Sequence, residues 1–443
     1  MTRPRWFEDG RLRFAVGIED TFVPQESPGH RKLDEYELTQ HYAQWRDDLS
    51  RAADAGAELI RWGIPWYLVE PEPGRFHWEW IDEVVEHLDR LGLRCVVDLM
   101  HYGTPLWLED EFLNPAYPER VASYAGAVAE RYRGSLTDWT PLNEPVINAV
   151  YCGEQGTWPP CLHGDGGFVK ILVQLARGMV LTQRRIADVQ PEAVFVHVDA
   201  GFRWADEAGG EDEEASPLAP PEASPPREAG AARPAPLELL KERRFVALDL
   251  VLGRVGEHHP MYGYLTRHGT TGEELRWFRD NAVTPDVIGV NYYPAFSTVR
   301  RDPRTGATEP VEAGTAGLTD LLHTYAARYD QPLFVTETSR GAPAAERLAW
   351  LEESVAAVRG LRAGGMNLVG YTWFPFFALV DWLYRESDEP MDRWLIQMGL
   401  YDLERDADDV LRRRATPAVA RFRELARAEA GDSTARTAER LDG

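Results

Sequence analysis

The chain has 443 residues, 44% of them hydrophobic, which is ample for a large core and too apolar for a disordered chain. Its 48 basic residues face 72 acidic ones, a net charge of −24. That balance excludes general neutralisation of a phosphate backbone and attraction to an anionic membrane surface, so neither nucleic acid nor membrane is expected as a partner. Three Cys cannot build a disulfide framework: Cys95 lies in an apolar run and reads as core, whereas Cys152 and Cys161 could pair. The first residues lack the apolar run of a secretory leader, and no stretch has the roughly eighteen apolar residues of a membrane span. A reduced, cytoplasmic protein is expected. The 15 Trp suit either core packing or flat surfaces for an amphipathic ligand such as a sugar.

Short apolar runs alternate with longer amphipathic ones along the chain. Phe14 to Ile18 predicts a first strand, and Asp34 to Ala55 a helix stopped by Gly56. Glu58 to Ile64 is a second strand, Trp80 to Leu91 a helix ended by Gly92, and Leu93 to Met100 a third strand. Pro118 opens a helix to Tyr132; Leu136 to Leu142 is a fourth strand, followed by a helix from Gly167 to Val189. Ala193 to Val198, Asp286 to Asn291, Pro332 to Thr336 and Asn367 to Trp373 complete eight strands, with a helix from Leu237 to Val255 after the fifth.

Eight strands, each followed by helical sequence, predict a closed (β/α)8 TIM barrel, and no glycine-rich dinucleotide fingerprint follows the first strand to favour an open sheet. Residues 206–236 are rich in Glu, Ala, Pro and Gly. They read as a flexible insertion after strand five within a single catalytic domain, 1–430, and 431–443 as a disordered tail.

Functional side chains of such a barrel stand at the C-terminal ends of its strands. Those ends hold Glu19, Arg61, His101, Asn143, Glu144, Asp199, Asn291, Tyr292, Tyr293, Glu337 and Trp373. Glu144 (in TPLNEP) and Glu337 (in FVTETS) each follow an apolar strand, where a carboxylate is out of place unless it faces a polar site. Two carboxylates across a barrel mouth suit glycoside hydrolysis: one protonates the leaving oxygen, while the other attacks the anomeric carbon or activates water.

NEP after strand four, T-E-T after strand seven and IGVNYY on strand six resemble glycoside hydrolase family 1, the β-glucosidase-like retaining enzymes. The stretches RWGIPWYLVEPEPGRFHWEWID, DLMHYGTPLWLED and GYTWFPFFALVDW are similar to that family's second, third and eighth strands. The resemblance runs from about Phe14 to Leu403. It implies Glu144 as general acid/base and Glu337 as nucleophile of a covalent glycosyl-enzyme mechanism. It further implies that Asn143 binds the sugar 2-hydroxyl, Arg61 keeps Glu337 ionised, Tyr293 orients it, His101 binds a glycone hydroxyl, Asn291 lines the site and Trp373 forms part of the sugar platform. No metal, nucleotide or flavin motif is visible, and the implied mechanism needs no cofactor.

The chain also departs from the family pattern. Glu19 stands nearest the usual glycone-binding Gln of strand one, His101-Tyr102 replaces the usual His-Trp, and Asp381-Trp382 replaces the usual Glu-Trp after strand eight. The implied partner is a small-molecule β-glycoside or oligosaccharide, with the glycone open among glucose, galactose, fucose and decorated sugars. Trp158, in the Gly- and Pro-rich segment after strand four, is expected to wall the aglycone side. Three other readings stand beside this one. They are a transglycosylase using the same intermediate, a sugar-binding barrel without catalysis, and a metal-dependent hydrolase using His101, His197 and Asp199.

Overall fold

Eight parallel strands close on themselves: β1 (Arg13–Gly17), β2 (Leu59–Gly63), β3 (Arg94–Asp98), β4 (Asp138–Thr140), β5 (Val194–Ala200), β6 (Val287–Asn291), β7 (Leu333–Thr338) and β8 (Leu368–Trp373). Each pairs in parallel with its sequence neighbours, and β8 pairs back onto β1. The expected (β/α)8 barrel is therefore the fold. The computed structural model describes residues 5–205, 237–302 and 306–441, with side chains as far as 431. The expected insertion, 206–236, lies outside the described residues.

The outer ring consists of α1 (His41–Asp54), α2 (Glu79–Leu91), α3 (Tyr117–Arg131), α4 (Gly164–Val189), α5 (Gly272–Asp280), α6 (Gly314–Arg328), α7 (Ala344–Ala363) and α8 (Pro417–Leu441). The stretch read as a tail is thus helical as far as Leu441, and 442–443 lie outside the described residues. Among the described residues, no helix is long and apolar enough to cross a membrane.

Two expected helices are broken, each by a tertiary contact. The first divides at Gln40, which takes a left-handed backbone (φ 60°). Its side-chain amide bonds Asp409 O and Leu411 N at the far end of the chain. The helix expected from Leu237 to Val255 is two pieces, Leu237–Arg243 and Val246–Val251. Between them, Arg243 turns to Glu154 and Arg244 to Phe202 O.

Side-chain alternation along each strand sorts two cores. Ala15, Leu59, Val96, Val196, Val198, Val287 and Phe334 fill the barrel, with Trp6 and Phe7 packed against them. Trp6 donates its indole N–H to Asp138 at 2.6 Å, which ties the N-terminal segment across the bottom of the barrel. The opposite faces of the strands pack the helices in one continuous apolar layer. The C-terminal ends are left for polar groups.

Candidate active site

On β2 the inward residues are Leu59, Arg61 and Gly63; on β3 they are Val96 and Asp98. The period of two thus drives a guanidinium and a carboxylate into the barrel just above its apolar filling. Arg61 is fully buried and forks to three side-chain acceptors, with Nη1 also donating to Thr336 O at 3.3 Å. Nη1 donates to Glu337 Oε1 at 2.6 Å, and Nη2 donates to Asp98 Oδ2 at 2.6 Å and to Asn143 Oδ1 at 2.9 Å. Asp98 is held below the ordinary carboxylate range, its burial outweighed by Arg61 and His101.

Glu337 reaches this network through an irregularity in β7. The register with β6 slips between Val335 and Glu337, so two residues on β7 oppose one on β6. Such a bulge re-aims a side chain. Here both Thr336 and Glu337 face the interior: Thr336 donates to Asn291 Oδ1 at 2.7 Å, and Glu337 accepts from Arg61 and, at 2.7 Å, from the Tyr293 hydroxyl. Burial pushes the Glu337 carboxyl up to about 7; Arg61 opposes this and Glu144 adds to it. Burial and Glu337 together push the Tyr293 phenol well up, so it stays an O–H donor.

Glu144 follows β4 in a left-handed backbone, φ 45°. A non-glycine residue held there costs on the order of 1–3 kcal/mol, the kind of strain found at functional sites. Pro145 disfavours the ordinary helical alternative for the residue before it. The peptide is pinned from both sides, Glu144 N donating to Val198 O at 3.1 Å and Asn148 N donating to Glu144 O at 3.1 Å. The carboxyl accepts two neutral donors, Asn291 Nδ2 on Oε1 and the Tyr102 hydroxyl on Oε2, each at 2.7 Å. Burial pushes it above the ordinary range, against these two bonds and the more distant His101 and Arg61.

His101 lies between Asp20 and Asn143, its Nδ1 2.7 Å from Asp20 Oδ1 and its Nε2 2.8 Å from Asn143 Nδ2. Burial disfavours a second proton on the ring, while Asp20, Asp98 and Glu19 push the imidazole up by more. The Asn143 amide opposes those charges. Its oxygen must face the donor-only Arg61, so its NH2 faces His101. Nε2 in direct contact with that donor must accept, which puts the ring proton on Nδ1 toward Asp20. Burial pushes Asp20 itself up to about 6.

Glu19 follows β1 on its inward side, accepts from the Thr21 hydroxyl at 2.6 Å, and is pushed up by burial. Asp381 caps the short helix Trp382–Glu386, accepting from Leu383 N at 2.9 Å, and is partly exposed. Trp382 is also partly exposed, its ring 5.5 Å from Tyr102.

Two expected ligand platforms are corrected. Trp373 points out of the barrel: it is fully buried and donates its indole N–H to Met398 O at 3.2 Å. The next residue, Phe374, turns inward, lying under the Arg61 guanidinium (5.3 Å) and parallel to the His101 ring. Trp158 is buried behind Tyr102, Tyr151 and Trp382, with centroids 4.5–5.1 Å away, so its faces are already covered. The amide of Asn143, expected on a sugar hydroxyl, is engaged by Arg61, His101 and Tyr102. Cys152 and Cys161 are free thiols, Cys152 donating to Asn148.

The metal trio of the alternative reading does not assemble. His197 and Asp199 bond each other on the outer face of β5, where Asp199 also meets Tyr325 of α6. Among the described residues, Asp20, Asp98 and His101 do come together. There Arg61 already occupies Asp98 and His101 occupies Asp20, so a cation would face a guanidinium.

Asp20, Asp98 and Phe374 were absent from the expected site, and Tyr102 figured there only as a departure from the family pattern. Asp98 was within reach of the period-two rule, since Val96 and Asp98 share a face. Phe374 shares the inward side with Gly370 and Thr372, the side opposite Trp373.

A β-galactosidase family model, that of glycoside hydrolase family 42, matches residues 36–121. β-Galactosidase BgaA of Thermus sp. is 33% identical over 116 residues, 21% of this chain and 18% of that protein. The aryl-phospho-β-D-glucosidase BglA of Bacillus subtilis is 23% identical over 420 residues, covering 80% and 79% of the two chains. The chain spans less than a fifth of the length of the first curated relatives it matches. The family 1 β-glucosidase structure of Thermotoga maritima superposes with a TM-score of 0.74 at 15% identity, covering 95% of this chain and 98% of that one. A second structure of that enzyme, with galacto-hydroximolactam bound, gives 0.73 at 16% identity over the same shares. The chain is a relative of the β-glucosidases and β-galactosidases, and its fold is the barrel of a family 1 β-glucosidase.

Proposed function

We propose that the protein is a β-glycosidase that hydrolyses a β-O-glycosidic bond with retention, Glu337 being the nucleophile and Glu144 the acid/base. The observation that carries this reading is the unequal company of the two carboxyls. Glu337 touches a guanidinium and a phenol, whereas Glu144 touches only an amide and a phenol. Each carboxyl disfavours the other's charge, so the pair holds one proton near neutrality. The cation in contact with Glu337 opposes the burial that raises both carboxyls and favours placing that proton on Glu144.

Chemistry follows from that distribution. A Glu337 oxygen attacks the anomeric carbon as the bond to the aglycone oxygen breaks, and Glu144 gives its proton to that oxygen. Esterification removes the Glu337 charge, so Glu144 now favours its ionised form. It takes a proton from water, the water oxygen bonds the anomeric carbon, and the ester bond breaks to return the Glu337 carboxylate.

The names of the relatives point to a glucose or galactose glycone. Phospho-sugars fit poorly, because Glu19 and Asp381 bring negative charge to the glycone side, where a phosphate would need cations. The protein is expected to act in the cytoplasm.

A panel of aryl β- and α-glycosides, run on wild type and Glu337→Ala, tests the reading. Release from β-glycosides alone, abolished in Glu337→Ala and restored by azide as the inverted glycosyl azide, supports it. Absence of release from every member, with sugar binding retained, would replace it by the sugar-binding barrel. Transfer to an added sugar acceptor in preference to water would replace hydrolysis by transglycosylation.

A further inference from the structure

Tyr102 is a buried tyrosine whose hydroxyl serves no packing purpose. Its ring is clamped by His101 (centroids 4.6 Å apart), Trp158 (5.1 Å) and Trp382 (5.5 Å). Its backbone is held as well, with Asn148 Nδ2 donating to its carbonyl at 3.2 Å. The hydroxyl therefore has one place to be, between Asn143 and Glu144.

The direction of its hydrogen bonds follows from donors that cannot reverse. Arg61 only donates, so Asn143 presents its oxygen to Arg61 and its NH2 to Tyr102, 3.0 Å away. The Tyr102 oxygen accepts there, and its single proton is left for Glu144 Oε2 at 2.7 Å. On the other side Thr336 donates to Asn291 Oδ1, and the Asn291 NH2 faces Glu144 Oε1. Both carboxyl oxygens thus receive a donor, and the acid's own proton is left for a lone pair that neither donor occupies.

We propose that Tyr102 is a positioning residue for Glu144: its hydroxyl, oriented by Arg61 through Asn143, orients the carboxyl and favours its ionised form, the form that must accept a proton from water in the second step. This rests on the reading of Glu144 as acid/base. The hydrogen bond from Tyr102 draws Glu144 down against its burial, and burial and Glu144 push the phenol well above its ordinary range, so Tyr102 donates without ionising. It also makes the bond between Arg61 and Asn143 part of the acid/base machinery, since turning that amide would turn the phenol proton away from Glu144.

The test separates this proposal from the functional reading. The Glu144 carboxyl is titrated by carbon NMR on protein labelled at the glutamate carboxyl, in a Glu337→Gln background that removes the coupled partner. Its signal is assigned by its loss in Glu144→Gln. Tyr102→Phe is expected to raise the Glu144 midpoint by about one pH unit. An unmoved or lowered midpoint overturns the proposal, whatever the enzyme hydrolyses. If Tyr102→Phe fails to fold, 3-fluorotyrosine at position 102, a stronger donor of the same shape, must lower the midpoint instead. With Glu337 intact, Tyr102→Phe is expected to lower kcat about tenfold on activated aryl glycosides, where the second step limits turnover. KM should fall with it as the intermediate accumulates. A rise in KM at unchanged kcat would reduce Tyr102 to a binding surface. Loss of the functional reading would instead appear as wild type that hydrolyses no glycoside.

Discussion

Arg61 and Glu337 meet through a 2.6 Å hydrogen bond from Nη1 to Oε1, while the other arm of the same guanidinium holds Asp98 and Asn143. One buried cation therefore serves Glu337, the proposed nucleophile, a structural carboxylate and the amide next to Glu144, the proposed acid/base. Removing one partner of a buried ion pair costs about 3–5 kcal/mol, because the other charge is left unpaired. Arg61→Met is expected to lose stability on that scale and all measurable hydrolysis. Arg61→Lys keeps the charge but has no second arm to span Glu337 on one side and Asp98 and Asn143 on the other, so it should fold and turn over slowly. Urea denaturation and kcat for both variants check this; an Arg61→Met midpoint equal to wild type would show that Asp98 and Glu337 do not depend on the guanidinium.

The carboxyl pair sets the pH dependence. With both protons present the nucleophile is neutral and inactive; with one, Glu337 is ionised and Glu144 is the acid. Loss of the last proton removes the acid, and burial holds the Glu144 carboxyl above the ordinary carboxylate range. kcat/KM should therefore be bell-shaped, with its high-pH limb displaced above the ordinary carboxylate range. In Glu144→Gln the high-pH decline should vanish for substrates whose leaving group needs no protonation. A high-pH decline that persists in that variant on those substrates would assign the limb to another group.

Phe374 and Trp373 make opposite predictions. Trp373 faces the helices, so Trp373→Phe should cost about 1–3 kcal/mol from the unpaired Met398 carbonyl and leave KM unchanged. Phe374 faces Arg61 and His101. Phe374→Ala should lower kcat/KM about tenfold or more, the equivalent of about 1.4 kcal/mol of lost aromatic contact. Thermal unfolding and steady-state kinetics on both variants decide which ring belongs to the site.

Gly63 makes room for Asp20. A β-carbon at position 63 would sit 2.0 Å from Asp20 Oδ2 and 2.7 Å from its carboxyl carbon. Gly63→Ala must displace Asp20, and with it the His101 ring. We expect a loss of about 1–3 kcal/mol, typical of overpacking, with a rise in KM larger than the fall in kcat. Equal stability of Gly63→Ala and wild type would show that Asp20 can move without consequence.

Much of the barrel was legible because its signals are local. Each strand is a short apolar run and each helix an amphipathic one, so alternation and count alone predict closure at eight. Glu144 and Glu337 stood out for the same reason, as charges at the ends of apolar strands. Boundaries were less legible. β4 is only Asp138–Thr140, because the chain beyond it leaves the ladder to bond Met100 O through Asn143 N. The helix break at Gln40 depends on Asp409 and Leu411, which lie nearly the whole chain away.

By itself the sequence determined most of the secondary elements and the barrel and singled out two carboxyls as candidates, because these depend on residue type and on periods of two and 3.6. Only the tertiary structure decided which side chains face the site. The bulge in β7 turns Glu337 inward beside Thr336, and on β8 a step of one residue puts Phe374 inside and Trp373 outside. Only the tertiary structure, too, decided that Arg61, Asn143 and Tyr102 form one directed chain to Glu144. Hydrogen-bond direction depends on which donor meets which acceptor across three strand ends, and no local pattern along the chain encodes it.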